Sequence, residues 1–228
     1  MLKLIKLEWK KNRLGKKIRI AAITSAVLLI FIMAMTGELN AGETIELYGK
    51  SMLNTAVELF THMTYIIFTG VMLASCVVNS YENKTIHLMF SYPIDRRKIL
   101  LSKFLVVWIF NFTAIVLTKV LIYAVLLLTS SYTHISTASI QIGNPLFWLN
   151  IMLSSAAMVS VSYISLLVGM KMRSSRAVIV TAVIVAALTQ GNIGDFTLSN
   201  SVPFYIILLV LAVVSVYLSI YNVETKDA

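Results

Sequence analysis

Apolar residues in this chain come in long unbroken runs separated by short polar, mostly basic, segments. A helix needs about 20 apolar residues to cross about 30 Å of hydrocarbon. Five runs meet that length: residues 18–36, 57–79, 101–129, 146–170 and 203–221. A sixth, 177–189, is uncharged but spans only about 20 Å as a helix. The stretch after it, 190–202, holds Gly191, Asn192, Gly194 and Asn200, which break a helix. Non-helical backbone survives at membrane depth only inside protein or against water. The pattern therefore predicts a short fifth span at 177–189, followed by a re-entrant or sunken segment in which Gln190, Asn192 and Asp195 form an outer gate. The plainer alternative is a surface loop, with Arg173 and Arg176 snorkelling to lengthen the span.

Two amphipathic stretches flank the spans. Leu2, Ile5 and Trp9 share one helical face with Leu4, Leu7 and Leu14 beside them, and lysines fill the other face. This predicts an interfacial helix over 1–17 with Trp9 at headgroup depth, serving as a lipid anchor or a docking surface. In 44–60, Ile45, Tyr48, Met52, Leu53 and Phe60 fall near one face. That predicts an outer amphipathic helix leading into the second span.

Composition agrees with the pattern. Of 228 residues 58% are apolar and only 13% charged, about half the charge of a soluble domain. Such a chain cannot supply a polar skin, which excludes an ordinary soluble enzyme. The net charge of +9 suits nucleic acid in principle, but its location excludes that partner. Apart from Lys50 and Lys119, the 19 Lys and Arg residues border the spans on one side when six spans are drawn. By the positive-inside rule both termini are then cytoplasmic. A signal peptide is the alternative for the N-terminus, but its basic region and apolar run are too long. The single cysteine, Cys76, forms no intrachain disulfide.

The connection between the second and third spans is the most specific segment. After Asn79 it runs through Glu82, Asn83-Lys84-Thr85, a short amphipathic turn Thr85–Phe90, then Ser91, Pro93, Asp95, Arg96, Arg97, Ile99 and Lys103. It resembles the permease subunits of type-2 ATP-binding-cassette exporters. Those carry a glutamate, a Gly/Asn-x-Thr step, an apolar helical turn, Pro-x-x-Arg, and a lysine opening the third span. Glu82, Thr85, Leu88, Ser91, Pro93, Arg96, Ile99 and Lys103 fit that pattern, and Asn83 stands where glycine is more common.

The resemblance implies that this connection is a coupling helix seated in a separate ATPase subunit. Glu82, Thr85, Leu88, Ser91, Pro93, Arg96 and Arg97 would be the coupling residues, flanked by Trp9. Two permease chains, identical or related, would form the path with two ATPases. The chain has no G-x-x-x-x-G-K-S/T sequence to cradle a triphosphate. ATP and Mg are therefore expected on the partner, with no cofactor, metal or catalytic residue on this chain. The predicted fold is all-α, a single transmembrane domain over 1–228 in a bacterial cell membrane.

Lys119 lies about 24 Å into the third span and must face protein, water or a headgroup. Glu58, in the antiparallel second span, reaches similar depth, so snorkelling, a Glu58–Lys119 pair and a pathway lining all remain open. Glu58 and His62 share a face, and with His134 they make a half-formed metal pattern that is common by chance. Ser155 and Ser162 stand seven apart with Gly169, as a helix-packing face or a polar stripe along the path. An intramembrane enzyme would need paired acids or a His/Glu cluster, and an ion-coupled transporter or channel would need more buried charge. Short outer loops, ten Phe and eleven Met favour an amphipathic peptide as cargo (toxin, bacteriocin or antimicrobial). Lipid or drug export is the alternative.

Overall fold

A computed structural model describes residues 14–41, 52–82, 96–133, 143–190, 192–193, 196–197 and 202–226. Side chains are described for 15–36, 53–80, 82, 98–129, 143–190 and 206–220. The interfacial stretch 1–13, the outer stretch 44–51 and the coupling segment 83–95 lie outside the described residues, as does His134.

The helices are α1 (Leu14–Ala41), α2 (Met52–Leu73), α3 (Asn79–Glu82), α4 (Arg96–Thr133), α5 (Pro145–Val161), α6 (Ile164–Met172), α7 (Ser175–Gln190) and α8 (Val202–Lys226). A π-helical turn, Ala74–Val78, joins α2 to α3 without a break. Among the described residues, β-structure is a pair of two-residue antiparallel strands, β1 (Asn192–Ile193) and β2 (Phe196–Thr197), in the segment expected to be re-entrant. Four helical stretches among the described residues are long and apolar enough to cross a membrane: Gly15–Thr36, Leu53–Val78, Lys98–Thr129 and Pro145–Met172. Ser175–Gln190 and Ile206–Ile220 are shorter apolar helices.

Several helices run past the apolar runs that announce them. α4 starts at Arg96 and covers 38 residues, because long basic side chains extend a helix beyond the hydrocarbon without burying their charge. The Pro145–Met172 stretch is not one smooth helix. At Ser162 and Tyr163 the amides of Tyr163, Ser165 and Leu166 bond three residues back, to Ser160, Ser162 and Tyr163. That is a tight 3₁₀ turn. The Tyr163 carbonyl, which already takes the Leu166 amide, also accepts from Ser215 Oγ of α8 at 2.7 Å.

The chain forms two compact units. One comprises residues 15–62 and 113–155. Its core is Ile32, Leu53, Val57, Ile122, Tyr123, Leu126 and Ile151, with the Phe147 ring edge-on to Tyr123 at 5.2 Å. Ser25 Oγ and Thr118 Oγ1 add a polar rung at 2.7 Å between α1 and α4.

The other unit comprises 1–14, 63–112 and 156–228. Here α7 buries Val178, Ala182, Ala186 and Thr189 along one face. Two glycines let it in close. A Cβ on Gly70 would lie 2.3 Å from the Ala182 Cβ, and one on Gly169 would lie 2.0 Å from a Val178 methyl. Lipid tails are as apolar as leucine, so helix association in a membrane rests on such close packing and on interhelical hydrogen bonds.

Candidate functional site

Glu82 closes α3 at the point where the chain enters the coupling segment. Its carboxylate accepts from the Ser175 hydroxyl at 2.6 Å and the Ser175 amide at 3.1 Å. An anion at the first residue of α7 satisfies an end amide and complements the helix dipole. The Ser175 hydroxyl, then its amide, then the Arg176 charge hold the carboxyl below its ordinary range. Just before this contact α6 ends on Arg173 in the left-handed conformation, φ 49°. The Ser174 amide reaches back to the Gly169 carbonyl at 3.2 Å. Within the chain, Glu82 thus ties the end of the second span to the start of α7.

One helix supports both irregularities of this unit. Lys103 of α4 is only 2% exposed. Its Nζ donates to the Cys76 carbonyl of the π turn at 3.2 Å and to Ser80 Oγ at 3.1 Å. The neighbouring Phe104 carbonyl accepts from the Tyr163 hydroxyl at 2.7 Å. A π turn disturbs the regular ladder and sits frequently at functional positions. Lys103 and Phe104 therefore hold the π turn and the 3₁₀ turn from adjacent positions.

In the 15–62 and 113–155 unit, Lys119 is fully buried. Its Nζ lies 2.9 Å from His62 Nε2 and donates to Ser154 Oγ at 2.9 Å. An ammonium has only donors, so beside charged Lys119 the Nε2 of His62 accepts and the ring proton sits on Nδ1. Glu58, half-buried one turn away from His62, lies within electrostatic reach of Tyr123. The sequence offers Glu58 to Lys119 and reads His62 only as its neighbour. The helix rotation brings in His62.

Ser154 rather than Ser155 turns to the lysine. The buried Ser155 Oγ has no hydrogen-bond partner, and Ser162 Oγ bonds its own helix at the Val159 carbonyl. Gln190 is half-buried, with Nε2 at 4.0 Å from the Met158 sulfur. Asn192 begins β1, and Arg96 and Arg97 open α4. Thr85, Leu88, Ser91, Pro93, Trp9 and Asp195 lie outside the described residues. The sequence reading takes His62 only as part of a metal pattern and gives Lys119 no serine partner; Tyr163 and Ser175 it does not single out. A histidine four residues from Glu58 was the one legible signal among these.

The family described as ABC-2 family transporter protein matches residues 4–189, most of the chain. The chain belongs to the ABC-2 transporter family. It is 25% identical over 230 residues to YcbO of Bacillus subtilis (strain 168), itself an uncharacterized protein, and the match covers all of both chains. No solved structure matches. Membership makes the chain a multi-pass membrane protein and the permease subunit of an ABC exporter, a type of subunit that leaves ATP hydrolysis to a separate chain.

Proposed function

We propose that the chain is the six-span permease of an ATP-driven exporter of amphipathic peptides. In this reading both termini are cytoplasmic and the chain pairs with a second permease chain and with ATPase subunits. The observation that carries the exporter reading is the family match over residues 4–189. The positive-inside distribution of Lys and Arg supports six spans, with α7 and α8 as the fifth and sixth. Short outer loops and Met- and Phe-rich walls support a peptide cargo.

Residues 83–95, with Glu82, Thr85, Leu88, Ser91, Pro93, Arg96 and Arg97, would engage the ATPase, and Trp9 would flank them. Lys119 with His62 and Ser154 would belong to the polar interior of the path. Gln190, Asn192 and Asp195 would close it on the outside. ATP and Mg would be held by the partner.

The test is reconstitution with the ATPase. Leu88→Asp and Arg96→Glu should each lower ATPase association or export by at least tenfold while the chain still inserts. Unaltered association and export in both variants refutes the coupling assignment. A deletion strain more sensitive to drugs than to amphipathic peptides refutes the cargo.

A further inference from the structure

Between α4, the 3₁₀ turn of the fourth span and α8 lies a groove of about 410 Å³. Leu105, Trp108, Leu209, Ala212, Val213 and Val216 form its walls. Four side chains with polar atoms line it: Tyr217 stands exposed at the rim, and the other three are hydrogen-bonded. Trp108 Nε1 donates to Ser160 Oγ at 3.2 Å, Ser160 Oγ donates to the Ala156 carbonyl at 2.8 Å, and the Tyr163 hydroxyl is held by Phe104. The walls of the groove therefore offer an occupant apolar contact, with the exposed Tyr217 hydroxyl at the rim.

Its rim faces outward, with Val213 69% and Tyr217 67% exposed. At this depth what reaches such a rim is hydrocarbon. Along α8 the lining runs from Leu209 to Ile220, about 16 Å of helix. That is roughly the depth of one leaflet, half of about 30 Å. A groove of this length, open along one side, matches one extended acyl chain.

Charge selects among the lipids. Leu101 lines the groove, and one turn before it α4 opens with Arg96, Arg97 and Lys98, the last exposed. Basic helix ends at the cytoplasmic face attract anionic headgroups. We propose that this groove is a binding site for one acyl chain of an anionic phospholipid of the cytoplasmic leaflet, its phosphate at the basic start of α4. The leaflet assignment rests on the orientation proposed above.

The experiment uses the full chain alone in phosphatidylcholine nanodiscs, with a trace of phosphatidylglycerol carrying a photoactivatable group near the chain end. Crosslinks should concentrate in peptides covering 101–108 and 209–220. Val216→Phe on the half-buried wall and Ala212→Trp in the buried wall should each reduce them at least fivefold. Lys98→Glu should abolish the preference over a matched phosphatidylcholine probe while leaving that probe's labelling in place.

Labelling spread evenly over the lipid-facing positions of α1 and α8 overturns the proposal, as does labelling that Val216→Phe leaves unchanged. So does loss of labelling on dimer formation, which would make a second copy the occupant. Failure of the exporter reading leaves this result untouched, because no ATPase is present. Reversed orientation shows separately, as outside labelling of Lys98→Cys by an impermeant thiol reagent after removal of Cys76.

Discussion

The Lys119 cluster makes a prediction whose asymmetry tests the reading of the site. With Lys119 charged, His62→Ala removes an acceptor 2.9 Å from its fully buried Nζ and leaves the charge in place. Breaking a buried pair from one side costs about 3–5 kcal/mol. Intramembrane hydrogen bonds measure about 0.6 kcal/mol on average and at most about 1.7, because the unfolded chain in the membrane also finds partners. Both figures bear on His62→Ala, and a loss of about 3 kcal/mol is expected.

Lys119→Met keeps the unbranched length and removes the charge together with its contacts to His62 and Ser154. Replacing buried ionic groups by apolar ones of similar volume is often neutral or stabilising, so this variant should lie within about 1 kcal/mol of the parent. The double variant should then lose the imidazole's packing and remaining contacts, about 1–2 kcal/mol, giving a coupling energy of about 2 kcal/mol. The assay is a double-mutant cycle in a reversible detergent unfolding titration, with the cluster's other partner tested by Ser154→Ala. If Lys119→Met destabilises as much as His62→Ala, or if the effects add within about 0.5 kcal/mol, the charged-donor account is refuted.

The Glu82 contact is pH-sensitive in a defined direction. Its carboxyl is depressed from 4.5, so its contribution is complete above about pH 4.5 and is lost as pH falls through the lower folded value. Amide protection at the start of α7 should therefore fall in acid, and Glu82→Gln should reproduce that loss at neutral pH. Equal protection in parent and variant at pH 7 would sink the contact. Gly70→Ala sets a Cβ 2.3 Å from Ala182 and should cost about 1–3 kcal/mol through overpacking. Gly15→Ala, with nothing within 4 Å, should gain up to about 1 kcal/mol. Thermal unfolding of the two variants reads both signs.

Helix and depth are written in the apolar runs, since hydrocarbon thickness and backbone satisfaction leave a membrane chain few choices. Azimuth is not written there. Glu58 and His62 share a face of α2, and only the rotation of that helix against α4 selects His62 for Lys119. Ser154 and Ser155 are one residue apart, about 100° around α5, and a serine count cannot say which meets Lys119.

The two helix irregularities were likewise silent. Neither Ala74–Val78 nor Ser162–Tyr163 contains Gly or Pro. Each is held by tertiary bonds from Lys103, Phe104 and Ser215 rather than by a local breaker. Glu82 was legible as a coupling residue by resemblance alone. Its intramolecular partner Ser175 lies 93 positions away, with no charge to announce it.

That partner also decides where the shortness of α7 falls. Sixteen residues make about 24 Å of helix, some 6 Å less than the hydrocarbon. Glu82 stands just beyond the apolar stretch Leu53–Val78 and is hydrogen-bonded to the first residue of α7. The start of α7 is thereby tied to the interface at that end of the second span, the cytoplasmic end in the proposed orientation. The missing length then falls at the far end, around Gln190. The last carbonyls of α7 and the backbone after it need partners there that lipid cannot give. The β1–β2 pair supplies two residues' worth of such partners to each strand, Asn192 with Thr197 and Ile193 with Phe196. A segment that brings its own hydrogen bonds is what a sunken outer element requires. The same contact that fixes the start of α7 therefore leaves the shortfall of this helix at its Gln190 end, beside the β1–β2 pair.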